Sequence, residues 1–150
     1  MYHAFVRAQI VRLFDAVSRG DAKPVLDAFA PQFEHSFLGD TALGGSRRTL
    51  SATRKWYERL YRLLPDIRFK VEHVLVSGGP WNTLVVAAWE EENSGTDGVR
   101  TRNRGAHLIH LRWGKATKLL ICPDTVALKA TLDRLGARGN TEALAPPIVD

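Results

Sequence analysis

The amino-acid sequence predicts one α+β domain, and three observations support this class. Apolar residues recur with the 3.6-residue helical period in the first 64 residues, alternate with period two from about residue 67 to residue 122, and return to the helical period afterwards. A chain of 150 residues is long enough to bury a core and close around a cavity. Helices gathered at one end of an antiparallel sheet form the α+β arrangement.

The first two helices are predicted close to the N-terminus. One spans residues 2–18, and Gly20 fits its stop. Its apolar stripe consists of Val6, Ile10, Leu13, Phe14 and Val17. Asp21 is suited to cap a short second helix, with Pro24 in its first turn, where a missing N–H costs little.

A short extended piece at residues 33–37 and a loop at residues 39–45 precede the third predicted helix. Ser46 is suited to cap this helix, which runs to about Leu64 and is ended by Pro65. Its apolar stripe consists of Leu50, Tyr57, Leu60, Tyr61 and Leu64, with Trp56 and Leu63 beside it.

Four strands joined by short glycine-containing turns are predicted next, as an antiparallel meander. They cover residues 67–76, 81–91, 99–113 and 116–122. The period-two pattern of the first of these strands puts Ile67, Phe69, Val71, His73 and Leu75 on one face. A last helix is expected at residues 125–135. The predicted domain therefore covers residues 1–136, and residues 137–150 are expected to form a loose tail.

Composition and charge narrow the range of functions. The formal net charge is +5 and arginines occur in clusters, but no nucleic-acid motif surrounds them. We therefore expect solvated or interfacial faces and no nucleic-acid partner. Cys122 is the only cysteine, so no intrachain disulfide can form. We find neither a signal-peptide pattern nor an apolar run of membrane-spanning length, and therefore expect a cytoplasmic protein without a membrane partner.

The third predicted strand carries polar side chains on both faces. Arg102, Arg104 and Arg112 are at even-numbered positions, so their side chains point to the same face of the strand. That face is expected to be exposed or interfacial. The opposite face carries Asn103 and His107. These two side chains are therefore predicted to point inward, towards any cavity between the sheet and the third helix.

Several short motifs follow one another along the chain. They are Gly20-Asp21, Gly45, Leu64-Pro65-Asp66, Asn103-Arg-Gly-Ala-His107, Gly114-Lys115 and Asp124 followed by an apolar helix. With this order, the sequence over roughly residues 1–136 resembles the NTF2-like superfamily and its SnoaL-like polyketide-cyclase branch. The resemblance implies an NTF2-like cone in which three N-terminal helices pack on a strongly curved antiparallel sheet around a pocket for a small hydrophobic molecule.

The resemblance also suggests acid–base residues. Asp124 matches the acid/base of SnoaL-like cyclases, with His107 orienting it or holding a substrate oxygen. Two simpler interpretations stay open: Asp124 can be only the cap of the last helix, and His107 only a core histidine. His35 lies where ketosteroid isomerases carry their catalytic Asp, so that specific chemistry is not expected, although an imidazole base is possible.

Aromatic and polar residues are candidates for the substrate-binding wall. The set consists of Tyr57, Tyr61, Trp56, Phe37, Trp89, Asn103 and Glu91. The aromatic stripe of the third helix is equally typical of a packed core. The five histidines lack metal-ligand spacing and no nucleotide-binding motif occurs, so neither a metal nor a cofactor is expected.

Two functions fit these observations. The first is a cofactor-independent isomerase, cyclase or lyase acting on a hydrophobic carbonyl or polyketide-like compound. The second is a non-catalytic NTF2-like ligand-binding or dimeric scaffold domain. In either case the resemblance implies a homodimer that forms through the outer sheet face.

Overall fold

The computed structural model describes all 150 residues. Its helices are α1 (Tyr2–Ser18), α2 (Lys23–Ala28), α3 (Leu50–Leu63) and α4 (Thr125–Ala137), followed by a 3-10 turn, η1 (Thr141–Leu144). Its strands are β1 (Phe29–Phe37), β2 (Gly45–Arg47), β3 (Arg68–Gly79), β4 (Asn82–Asn93), β5 (Thr101–Arg112) and β6 (Lys115–Pro123). None of the helices combines the length and the apolar character needed to cross a membrane.

The six strands form one curved sheet in the order β2-β1-β6-β5-β4-β3. All neighbouring strands are antiparallel except β1 and β6, which pair in parallel. The expectation of a purely antiparallel sheet is therefore wrong at this one pair. β1 lies almost 80 residues before β6 in the sequence. No local sequence pattern therefore indicates whether these two strands pair in parallel or antiparallel.

The third helix follows the first two strands, so the element order also differs from the prediction. α3 begins at Leu50 because Thr49, rather than Ser46, is its cap: the Thr49 hydroxyl accepts a hydrogen bond from the Ala52 N–H at 3.2 Å. Ser46 instead lies in β2, where its hydroxyl bonds to that of Ser36 across the strand pair at 2.7 Å.

A β-bulge in β3 reverses which side chains face inward. Val71 pairs with Trp89 and His73 pairs with Ala88, so one extra residue stands on β3 between these pairs. Beyond the bulge Val74 and Val76 pack against the core, whereas His73 and Leu75 are exposed. The prediction that His73 and Leu75 share the inner face with Val71 is therefore wrong.

The core lies between the inner face of the sheet and the helices α1 and α3. Val6, Ile10 and Phe14 of α1 are buried, because their spacing places them on one side of the helix. Trp56 and Leu60 of α3 are buried in the same cluster. The remaining space between the helices and the sheet forms the cavity described below.

The C-terminal segment packs on the body of the protein, which corrects the expectation of a loose tail. Ala143 of η1 is buried in the core cluster. The Glu142 carboxylate accepts two hydrogen bonds from Arg62, both at 2.8 Å. The Asp150 side chain accepts hydrogen bonds from the backbone N–H groups of Arg48 and Thr49, each at 2.8 Å, next to the start of α3.

Candidate functional site

A cavity of about 100 Å³ lies beneath α1 and α3, against the inner face of the sheet. Hydrophobic residues make up 22 of the 26 that line it. Only three lining side chains are polar over most of their length: Glu91, Asn103 and His107. An apolar cavity with a few polar groups is the usual form of a small-molecule site, because the polar groups fix the orientation of a ligand.

Glu91 is the acidic side chain of the cavity. It is only 5% exposed, and its Oε1 accepts a hydrogen bond from Asn93 Nδ2 at 2.6 Å. Its Oε2 has no protein partner. Burial disfavours the charged carboxylate and raises the pKa of Glu91 to about 7, although the bond from Asn93 acts in the opposite direction. The carboxyl group can therefore hold or release a proton near neutral pH.

Asn93 is a supporting residue that the sequence analysis did not single out. It follows Glu91 by two positions on β4, so both side chains point to the same face. Its Oδ1 accepts from the Gly95 N–H at 2.9 Å, so its amide is held with Nδ2 facing the carboxylate. The i, i+2 spacing was the available signal in the sequence, but many residue pairs on a strand share that spacing.

His107 is held in one tautomer by Trp89. The indole Nε1 of Trp89 donates to Nδ1 of His107 at 2.8 Å. Because an indole N–H can only donate, Nδ1 must be an acceptor, and the proton of the neutral ring is assigned to Nε2. Nε2 has no protein partner. Burial lowers the pKa of His107 to about 3, so the ring is a neutral hydrogen-bond donor at neutral pH.

The aromatic candidates divide between the cavity and the surrounding core. Phe37, Trp56, Tyr57 and Trp89 line the cavity, whereas Tyr61 does not. The Tyr61 hydroxyl donates to the Val17 carbonyl at 2.9 Å, and Trp56 Nε1 donates to the Leu43 carbonyl at 2.7 Å. The Tyr57 hydroxyl has no protein partner, and burial raises the pKa of Tyr57, so this hydroxyl stays a neutral donor.

Asp124 lies outside the cavity lining, on the exposed start of α4. Its Oδ1 accepts from the backbone N–H groups of Val126 and Ala127 at 3.1 and 3.0 Å, so its side chain has the geometry of a helix cap. Asn103, in turn, bonds through both ends of its amide to the backbone of Asp124. The structure therefore favours the cap interpretation of Asp124 over the acid/base role that the resemblance suggested, because its side chain is bonded to the first turn of α4.

His35 is fully buried but does not line the cavity. Its ring packs against those of Trp56 and Tyr57, with centroid distances of 4.6 and 5.4 Å, and neither ring nitrogen has a hydrogen-bond partner. Its cross-strand neighbour Arg47 is also fully buried and stacks over Trp56. Burial and this nearby charge hold the pKa of His35 well below its ordinary value.

The structure thus brings some of the predicted site residues together and separates others. Glu91 pairs across the strands with Asn103, and His107 is four residues further along β5. At roughly 3.3 Å per residue, the backbone of His107 is about 13 Å from the level of the Glu91–Asn103 pair. The three face the same cavity, but no hydrogen bond joins Glu91 to His107. No group of three metal-ligating side chains is assembled anywhere in the chain.

The comparisons with known proteins agree with this architecture. An NTF2-like protein of unknown function from Burkholderia pseudomallei K96243 superposes with a TM-score of 0.74 at 16% identity, covering 83% of this chain and 95% of that one. PrhC from Penicillium brasilianum NBRC 6234 gives 0.80 at 13% identity, covering 96% of both chains. A protein assigned as a SnoaL-like polyketide cyclase from Jannaschia sp. CCS1 gives 0.65 at 18% identity, covering 83% of this chain and 88% of that one.

Identities this low show a shared fold and no more. No curated protein is similar to this chain in sequence. The model of the SnoaL-like domain, however, matches residues 10–119, which is well over half of the chain. The chain therefore belongs to the SnoaL-like family and has the NTF2-like fold.

Proposed function

We propose that the protein is a cofactor-independent enzyme that moves protons on small hydrophobic carbonyl compounds, with Glu91 as the acid/base. One observation carries the proposal: a buried carboxyl group with a pKa of about 7 presents an unpartnered oxygen to an apolar cavity. A catalytic acid/base works best when its pKa lies near the working pH, because both protonation states are then available. Isomerisation, cyclisation and elimination beside a carbonyl can each begin with transfer of a proton to such a group.

The remaining polar groups suit the oxygen end of such a substrate. In the proposed reaction the Glu91 carboxylate removes a proton from the carbon next to the carbonyl and later returns it. Negative charge then develops on the carbonyl oxygen, and the neutral Nε2–H of His107 or the Tyr57 hydroxyl donates a hydrogen bond to it. A donor already fixed by Trp89 needs little reorganisation during the reaction.

Proton exchange in deuterated water tests this function without knowledge of the natural substrate. We expect the protein to accelerate deuterium uptake beside the carbonyl of small cyclic ketones, measured by NMR, with a rate that rises through about pH 7. The variant Glu91→Gln should lose about 100-fold or more of this activity, as expected for loss of a general base. Asp124→Asn is the matched carboxyl control and should exchange at the wild-type rate. A folded Glu91→Gln protein with full activity would refute the assignment.

A non-catalytic ligand-binding domain is the second candidate. The observation that favours it is the size of the cavity, since about 100 Å³ leaves little room for a substrate and its transition state. In that case an apolar ligand should bind and raise the melting temperature, while ketones should show no exchange above the buffer rate. Glu91→Gln would then change the affinity for the ligand, with no exchange activity to lose.

A homodimer through the outer sheet face is proposed for either function. Leu75, Val86, Leu108 and Leu120 form one cross-strand row on that face. Leu75 is 65% exposed, and the other three are only partly buried. Such a row, bordered by ion pairs such as Arg104–Glu90, has the apolar centre and charged rim of a subunit interface.

Mass measurement in solution tests the dimer. We expect about twice the chain mass by light scattering, and Leu108→Glu should halve it by placing a charge at the centre of the row. Arg100→Glu, in the loop just before β5, is the control for an added negative charge. A wild-type monomer at micromolar concentration would refute the proposal.

A further inference from the structure

Two of the four tryptophans are exposed at one end of the sheet, where they play no part in the core. Trp81 lies in the β3–β4 turn and is 60% exposed, and Trp113 lies in the β5–β6 turn and is 72% exposed. The backbone N–H of Trp113 donates a hydrogen bond to the Pro80 carbonyl at 2.6 Å, so the two turns are held side by side. Trp56 and Trp89 are buried in the core.

Trp113 has a backbone conformation that a bulky residue rarely adopts. Its φ is +50°, and that of Gly114 is +78°, so two consecutive residues are left-handed, as in the two-residue turn that favours Asn-Gly. A side chain with a Cβ is strained there, and a tryptophan brings no compensating burial. A strained, exposed aromatic residue suggests that this side chain is kept for a contact outside the domain.

In the strand segments that carry the two indoles, every charged side chain is positive. Residues 77–89 and 105–123, which contain both turns, include no Asp or Glu. Arg112 and Lys115 flank Trp113 and are exposed. Arg112 also lines a shallow groove with Trp81 and His110. The backbone carbonyl of Asp27 accepts a hydrogen bond from Lys115, and the carboxylate of Asp27 forms an ion pair with Lys23.

The start of α1 adds exposed apolar side chains at the same end. The His3 ring bonds to the Gly78 carbonyl at 2.7 Å, which fixes the first turn of α1 beside the β3–β4 turn. Met1 is fully exposed, and Phe5 is 59% exposed. The pole surface, defined as Met1, Phe5, Trp81, Arg112, Trp113 and Lys115, therefore combines aromatic and apolar groups with positive charge.

We propose that the pole surface docks on an anionic lipid membrane, with both indoles at the headgroup level and Arg112 and Lys115 against the headgroups. Tryptophan prefers the membrane interface because its ring is apolar and its N–H is polar, and basic side chains are attracted to anionic leaflets. This peripheral contact requires no spanning helix, but it replaces the sequence-based expectation that the protein has no membrane partner. It is independent of the function proposed for the cavity.

Vesicle binding, followed by tryptophan fluorescence, tests the proposal. We expect a blue shift of the emission with vesicles that contain phosphatidylglycerol and no shift with pure phosphatidylcholine, because only the former offers negative charge. Acyl chains brominated near the headgroup should quench the emission. Trp113→Gly should weaken binding at least tenfold and raise the melting temperature, because glycine removes the strain at φ +50°.

A charge-matched pair of variants separates docking from general electrostatics. Arg112→Gln with Lys115→Gln should weaken vesicle binding at least tenfold, whereas Arg100→Gln with Arg102→Gln, at the other end of β5, should change it less than twofold. Three outcomes would overturn the proposal: equal loss in both pairs, an equal shift with neutral vesicles, or a shift that follows protein concentration without lipid, which would assign the surface to a second copy.

Discussion

Glu91 makes the stability of the fold depend on pH in an unusual direction. Its folded pKa of about 7 lies above the ordinary value of 4.5, so between these values the folded state holds a proton that the unfolded state releases. The free energy of unfolding should therefore fall as pH rises from about 4.5 to about 7. We expect Glu91→Gln to remove this dependence and to be about 1–3 kcal/mol more stable than the wild type at pH 8.

Urea unfolding of both proteins from pH 4.5 to pH 8 measures this difference. His107 makes the free energy of unfolding rise with pH between about pH 3 and pH 6.5, because its pKa is lowered in the folded state. This contribution is the same in both proteins and therefore cancels in the difference between them. Equal slopes for the wild type and Glu91→Gln would show that the carboxyl group is solvated in solution.

His35 is expected to lower the stability of the fold. Both of its ring nitrogens are buried without partners, and such groups cost free energy on folding. We therefore expect His35→Leu to raise the free energy of unfolding by about 1 kcal/mol and to leave deuterium exchange unchanged. The gain should increase below pH 6.5, because protonation then favours the unfolded wild-type chain. A less stable variant at pH 8 would indicate that the ring is hydrogen-bonded in solution.

At the scale of the elements, local patterns predicted the helices, most strands and the antiparallel meander from β3 to β6, but not the bulge in β3 or the pairing of β1. The apolar stripe of α1 and the alternation of β4 to β6 depend on neighbouring residues, so they could be found in the sequence. The bulge after Val71 could not, because Val74, Leu75 and Val76 are all apolar and either parity looks acceptable. The parallel β1–β6 pair depends on a contact between distant parts of the chain.

Asp124 illustrates the same limit within the candidate site. Strand parity correctly predicted that Asn103 and His107 face the cavity, because side chains alternate along β5. The resemblance was a poorer guide at Asp124, where the strand has ended and the side chain caps the next helix. Whether a residue belongs to the end of a strand or to a helix cap depends on where the backbone turns, and that is set by packing.

The cap role leads to a prediction about α4. Asp124→Ala should lower the free energy of unfolding by about 1 kcal/mol, because two backbone N–H groups lose their acceptor. Asp124→Asn should be close to the wild type, since asparagine caps helices about as well as aspartate. Denaturant unfolding of the two variants side by side measures the difference. Equal stability of all three proteins would contradict the cap role.

At the scale of the whole molecule, the C-terminal segment joins parts of the fold that are distant in sequence. It carries the Glu142 carboxylate to Arg59 and Arg62 on α3, the Pro146 carbonyl to Arg59, and the Asp150 carboxylate to the start of α3. Pro147 and Val149 also lie against Gly45, the first residue of β2. The sequence suggested a loose tail because contacts with distant residues leave no periodic pattern in the segment itself.

Removal of residues 139–150 should therefore destabilise the whole domain. We expect the free energy of unfolding to fall by about 2 kcal/mol or more, because several hydrogen bonds and the burial of Ala143 are lost together. Glu142→Gln isolates the ion pairs and should cost about 0.5–1 kcal/mol, with a smaller effect in 1 M salt, since salt screens charges at the surface. Urea unfolding at low and high salt measures both variants. A truncated protein as stable as the full chain would show that the segment rests on the fold without stabilising it.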